Sequence, residues 1–215
     1  MILKDKVVII TGAGPGMGQA MCRGAAAEGA KVVISARSVP AIEEIAHDIV
    51  SKGGEAIAVP CDVAQTDQCH ALAAAAIAKW GQIDGMVHSA YCHPDWGSII
   101  DHSIDQVLQA LDVIAVGGLR MAQAVVPQMK AQGGGSIVNI STLATRKPMP
   151  GEGGYAMAKS AINQLTRQLA IELAGTGRTR LPAGPQALVV DVPKAAPVEL
   201  DMQRIQQAHA DRTAK

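Results

Sequence analysis

Phenylalanine is absent from this chain of 215 residues, and aromatic side chains make up only 2% of it. Its core must therefore be built from Val, Ile, Leu, Ala and Met, compact side chains that let helices pack closely on a sheet. Base stacking of the kind that single-strand nucleic-acid binders use has little to work with. Neither sign of charge prevails, since 19 Lys and Arg stand against 19 Asp and Glu. No positive surplus exists to hold a phosphate backbone or an anionic membrane, so neither is an expected partner. The four cysteines, Cys22, Cys61, Cys69 and Cys92, form no CxxC pair, which points to reduced thiols and away from a zinc site; no metal is expected. The apolar run before Gly12 is too short for a transmembrane helix and lacks the long apolar region and cleavage site of a signal peptide. A cytoplasmic location is the expectation.

Hydrophobic residues, at 48% against 18% charged, supply ample material for a core. One domain spanning residues 1–215 is expected. Short runs rich in Val and Ile, at Val7–Ile10, Lys31–Ser35, Ala56–Val59, Met86–His88 and Ser136–Ile140, read as strands buried on both faces. Between the first five lie Gly16–Glu28, Val39–Ser51, Asp67–Trp80 and Ile104–Lys130, each long enough for a helix. Strand alternating with helix predicts an α/β fold with a parallel sheet covered on both faces, because parallel strands need right-handed crossovers. Ligands in such sheets bind beyond the carboxyl ends of the strands.

Thr11-Gly-Ala-Gly-Pro-Gly-Met-Gly18 follows the first strand directly and opens the first helix. Glycines let the backbone approach a ligand, and a helix N-terminus offers free N–H groups and a positive dipole end to a phosphate. A flexible turn would look similar, but the strand before and the helix after supply the context that a dinucleotide site requires. At the end of the second strand, where an acidic residue would accept hydrogen bonds from an NAD ribose, stand Ala36 and Arg37. Arg37 can receive a 2′-phosphate and no carboxylate repels it, so NADP is expected ahead of NAD.

Tyr155 precedes Lys159 by one helical turn in a chain with only two tyrosines. Spacing alone does not separate a surface pair from a proton donor and the cation that tunes it. Together with the glycine turn, the pair resembles the short-chain dehydrogenase/reductase family. Thr11, Gly12, Gly16 and Gly18 match its Thr-Gly-x-x-x-Gly-x-Gly pattern, Asp62-Val63 its Asp-Val after the third strand, and Gly135–Ser141 its fifth strand. The match runs to about Gly177.

The resemblance implies a Rossmann-type doubly wound sheet and a homo-oligomer paired through the fourth and fifth helices. It also implies a cofactor set of Thr11, Gly12, Gly14, Gly16, Met17, Gly18, Arg37, Asp62, Val63, Ser89, Ala90, Tyr155 and Lys159. In the implied chemistry, carbonyl and alcohol are interconverted on a small-molecule substrate. Tyr155 is the general acid or base, Lys159 lowers its pKa and holds the nicotinamide ribose, and a hydroxyl thirteen residues before the tyrosine orients the substrate oxygen. That hydroxyl is Thr142, with Ser141 in reserve. Tyr91, His93, Trp96, Thr145, Met149 and Pro150 could line a substrate pocket of mixed apolar and aromatic character.

The chain departs from the family in three places. His88-Ser89-Ala90-Tyr91 stands where Asn-Asn-Ala-Gly is usual, and His88 is assigned no chemistry. Ile114 stands where an asparagine often helps hold a relay water. After Gly177 the segment 178–215 is atypical: Ala187–Val192 could serve as a sixth strand, but no glycine follows Pro193. The chain also runs roughly a seventh strand short of the about 250 residues common in the family, as a truncation or frame shift would leave it. Against the enzyme stands a second expectation, an impaired nucleotide-binding or oligomerising relative, which Ile114 and the altered C-terminal part favour.

Overall fold

The computed structural model describes residues 1–174 and 187–192. Among the described residues, six strands form one sheet: β1 Val7–Thr11, β2 Lys31–Ser35, β3 Glu55–Ala58, β4 Gly85–His88, β5 Gly135–Ile140 and β6 Ala187–Val192. The α-helices described with them are α1 Met17–Ala27, α2 Val39–Ser51, α3 Thr66–Trp80, α4 Ile104–Leu111, α5 Gly117–Gln132 and α6 Gly153–Ala174. The strand order is β3-β2-β1-β4-β5-β6. From β1 the chain winds outward to β2 and β3, then crosses back to β4 on the other side. This doubly wound order opens a crevice between the carboxyl ends of β1 and β4, where ligands bind in open α/β sheets.

Every residue of β1 is buried. Alternation along the strand sends Val7 and Ile9 into one core cluster and Val8 and Ile10 into another. The second cluster packs against Cys22 of α1 and Ile42, Ile45 and Ile49 of α2. The first packs against Leu72 of α3 and Met121, Val125 and Met129 of α5. Methionine and small residues take the volume that phenylalanine would fill elsewhere. By length and composition alone, the stretch Ile104–Gln132 would pass for a membrane span. Here it is a core element, with Met121, Val125 and Met129 fully buried against the sheet.

Two elements differ from the reading of the sequence. The sixth strand forms at Ala187–Val192 but runs antiparallel to β5, from Ile140↔Ala187 to Gly135↔Val192, whereas β1 to β5 are mutually parallel. As an antiparallel edge strand it can have one polar face. Val190 and Val192 enter the core, while Asp191 is exposed and accepts a hydrogen bond from the Ser136 hydroxyl at 3.2 Å. The single long helix expected over Ile104–Lys130 is interrupted by a π turn at Asp112–Val116, which divides α4 from α5. The segments 175–186 and 193–215, including Pro193 and any seventh strand, lie outside the described residues.

A buried polar link ties β5 to α6. Asn139 donates through Nδ2 to the Thr166 hydroxyl at 2.9 Å, and that hydroxyl donates to the Ile162 carbonyl at 2.7 Å. Both side chains are at most 1% exposed. Thr166→Val should strand the Asn139 amide and lower stability by about 1–3 kcal/mol in urea unfolding. Adding Asn139→Leu should recover part of that loss, since replacing both partners removes the unsatisfied group.

Candidate active site

The glycine turn is built for close approach. At Gly12, with φ +68°, a Cβ would lie 2.5 Å from the Ala90 nitrogen; at Gly18 it would lie 2.2 Å from the Gly12 carbonyl oxygen. Those two glycines let β1, α1 and the segment after β4 meet. Gly14 and Gly16 instead face open space, with no atom within 4 Å of a would-be Cβ, and no side chain caps the start of α1. The first turn of α1 thus presents uncapped backbone N–H groups beside an open cradle, the arrangement that suits a phosphate.

A groove of about 160 Å³ beside this turn is lined by Gly12, Gly14, Ala36, Arg37, Cys61, Asp62, Val63, Ala90, Tyr91 and Val113. Residues expected from four separate strand ends to touch the cofactor therefore come together there. Arg37 is exposed. Asp62 folds its carboxylate back to accept from the Ala64 N–H at 3.0 Å, which fixes the turn after β3. Thr11 and Ser89 play a different part: both are buried, and the Ser89 N–H donates to the Thr11 hydroxyl at 3.3 Å. They hold the crevice together from beneath. Met17 is exposed at the helix start. A larger apolar hollow of about 860 Å³ lies elsewhere, on the sheet face beside α1 among Val8, Ile10, Val87 and Val138. It contains none of these residues, so its size says nothing about the chemistry.

Tyr155 sits half-buried in the first turn of α6, and Lys159 one turn later is 2% exposed. The Lys159 Nζ donates to the Ile140 carbonyl at 2.6 Å and lies 5.7 Å from the centre of the Tyr155 ring. Burial pushes the Lys159 pKa down to about 8. Burial also raises the Tyr155 pKa, with Glu152 and Tyr91 adding to the shift. The expected lowering of the phenol by Lys159 is thus not what the protein alone produces. The ammonium flanks the ring and bonds to a backbone carbonyl, while desolvation of the phenolate and the charge of Glu152 raise the phenol.

Thr142 and Ser141 follow β5 directly. The Thr142 hydroxyl accepts from the Ala144 N–H at 3.3 Å, capping the short 3-10 turn Leu143–Thr145, and its own hydrogen remains available to a substrate oxygen. Ser141 Oγ is buried and has no hydrogen-bond partner among the described residues. Thr145 is structural: its hydroxyl donates to the Thr142 carbonyl at 2.9 Å and accepts from Asn163 of α6 at 3.2 Å. His93 stacks on Tyr155 with ring centres 4.7 Å apart, and Trp96 stacks on His93 at 5.1 Å. Met149 and Pro150 line an adjoining hollow with Ser98, Ile99, Gly151 and Gly153. The sequence reading had not singled out Asn163 or these glycines. A Cβ on Gly151 would lie 2.8 Å from Trp96, one on Gly153 2.8 Å from Ile99, and one on Gly154 2.9 Å from His102. The run of glycines just before Tyr155 was the available signal: it lets the segment after β4 press onto the start of α6.

Residues 6–182 match the sequence model of a family described as short chain dehydrogenase. The chain belongs to that family. It is 35% identical over 172 residues to Dehydrogenase/reductase SDR family member 4 of Homo sapiens, covering 80% of the present chain and 62% of that protein. It therefore spans less than two thirds of that relative's length. Among solved structures, NAD+-bound xylitol dehydrogenase superposes with a TM-score of 0.78 at 28% identity, over 81% of this chain and 67% of the other. A metagenomic short-chain oxidoreductase in complex with NADP gives 0.74 at 30%, over 81% and 79%.

Because burial lowers the Lys159 pKa from 10.5 to about 8, the folded state binds that proton less tightly than the unfolded chain does. The penalty is full below pH 8 and fades as pH rises towards 10.5. It amounts to roughly 3 kcal/mol, partly offset by about 1 kcal/mol for the bond to Ile140. Lys159→Met should therefore raise Tm at pH 7 by roughly 4–8 °C in calorimetry, with the gain shrinking towards pH 10.

Proposed function

We propose that this short-chain dehydrogenase interconverts a ketone or aldehyde and an alcohol, with NADP preferred over NAD. The observation that carries the reading is the placement of Tyr155 and Lys159 on the first turns of α6. There they adjoin the Ile140–Thr142 end of β5, on the same edge of the sheet as the glycine-turn groove. The nicotinamide, when bound, supplies or accepts the hydride. Gly14, Gly16 and the start of α1 would receive its phosphates, and Asp62 and Val63 the adenine end. Lys159, with one donor spent on Ile140, keeps two for the ribose hydroxyls.

Thr142 orients the substrate oxygen and Tyr155 exchanges a proton with it. Since burial raises the Tyr155 pKa, the phenol holds its proton near neutrality, and the protein alone is poised as an acid for carbonyl reduction. One structural neighbour holds NADP and another NAD+, so the preference rests on Arg37, which lines the groove without a competing carboxylate at Ala36. Exposed Ile104, Leu108, Val116, Leu119 and Ile171 on the α4–α5 stretch and α6 support the helix pairing of a homo-oligomer.

Purified protein mixed with NADPH or NADH and a panel of ketones should consume reduced nicotinamide, read by loss of its absorbance. Tyr155→Phe should lower kcat by about 10²–10⁴-fold; turnover unchanged in that variant would overturn the mechanism, and cofactor binding without turnover would favour an impaired relative. Arg37→Asp should raise KM for NADPH by about ten- to a hundredfold while leaving NADH little changed, because it exchanges attraction for repulsion at a 2′-phosphate.

A further inference from the structure

His88, the last residue of β4, is 1% exposed and takes part in a buried run of hydrogen bonds whose direction is set by its ends. Its Nε2 lies 3.1 Å from the carbonyl oxygen of Ile114, and its Nδ1 lies 3.1 Å from the Thr11 hydroxyl. A carbonyl only accepts, so Nε2 carries the hydrogen. Burial, and secondly the charge on Lys159, push the His88 pKa down to about 4, which leaves the ring neutral and Nδ1 an acceptor. The Thr11 hydroxyl then donates to Nδ1 while its oxygen accepts from the Ser89 N–H at 3.3 Å. Each donor points the same way, from Ser89 through Thr11 and His88 to Ile114, and both ring nitrogens have a partner.

The two ends of this run belong to different parts of the site. Thr11 ends β1 and leads into Gly12 of the cofactor turn. Ile114 lies within the π turn, where the Gly117 N–H reaches back five residues to the Asp112 carbonyl. The Ile114 side chain is fully buried against Ala158 and Ile162 of α6, in the small cluster on which Tyr155 packs. Gly118 makes room for the imidazole. A Cβ there would stand 3.3 Å from His88 Cδ2 and 2.6 Å from Ile162 Cδ1, so a larger residue would push the ring and α6 apart.

We infer that His88 is a positioning residue, an imidazole strut that locks the cofactor turn after β1 to the π turn that seats α6. It thereby sets the distance between the groove and the Tyr155–Lys159 pair. The kinetic part of this inference rests on the oxidoreductase reading, and its structural part does not. Histidine suits the place because one ring offers an acceptor and a donor on opposite sides of a rigid body. It spans two elements that share no backbone pairing.

The test begins with ¹⁵N-histidine NMR on the wild-type protein. His88 should show the Nε2–H tautomer and no titration from pH 8 to pH 5. The Nδ1–H tautomer, or a ring that takes up a proton in that range, would overturn the strut. Two variants follow. His88→Phe keeps a flat ring and removes both bonds; His88→Gln keeps a donor and an acceptor. The first should weaken NADPH binding about tenfold and lower kcat at least as much with substrate KM within about twofold. The second should stay within about threefold of wild type in both. Equal losses in the two variants, or none in either, would sink the inference. Should His88→Phe fail to fold, the tautomer and the His88→Gln binding constant decide. Absence of turnover in the wild type would count against the oxidoreductase reading alone, since tautomer and NADPH affinity still judge the strut.

Discussion

Lys159 keeps its ammonium out of water and donates it, at 2.6 Å, to the carbonyl of Ile140 where β5 ends. A buried cation is a standing cost to the fold, and one backbone bond offsets only part of it. The surroundings are arranged to hold that charge nonetheless. Asn139 and Thr166 pin β5 to α6 one residue before Ile140, Thr145 and Asn163 pin the following turn, and Ile114, Ala158 and Ile162 fill the space behind. One ammonium donor is spent on the Ile140 carbonyl, which leaves two for a ligand. Stability is given up at a place where a bound ligand could return it, a common relation between active sites and folds.

The burial that lowers the Lys159 pKa raises that of Tyr155. A pair that the family resemblance cast as general acid or base and tuner is, in the protein alone, a protonated phenol beside a weakened ammonium. Charges brought by a ligand would change both. The aromatic stack of Tyr155, His93 and Trp96 contributes to that burial, so the segment after β4 that shapes access to the site also affects its proton affinity.

Much of this was legible in the sequence because it depends on local rules. Five strands appear within a residue or two of the apolar runs, and the glycine turn, Arg37, Asp62 and Ala90 converge as the order of motifs required. What was hidden depends on tertiary context. The direction of β6 is not written in Ala187–Val192, since a strand of that composition fits beside β5 in either sense, and only its partner decides. The π turn at Asp112–Val116 lies within an unbroken apolar pattern, where a change from four-residue to five-residue bonding leaves no mark. His88 was assigned no chemistry, and Ile114 stood where the family often has a hydrogen-bonding asparagine. In the fold the histidine ring meets the backbone of the isoleucine. Thr11 and Ser89, expected among the cofactor residues, are buried and bonded to each other at the ends of β1 and β4.

The strand order also governs when the site can exist during synthesis. Everything that lines the groove except Val113 is made by Tyr91, whereas Tyr155, Lys159 and the end of β5 come later and must dock beside β4 through contacts distant in sequence. Such long-range pairing is the slow part of folding. The residues that line the groove thus nearly all precede the Tyr155–Lys159 pair in the chain, and the β4 edge of the half-made sheet stays open until Gly135–Ile140 has left the ribosome.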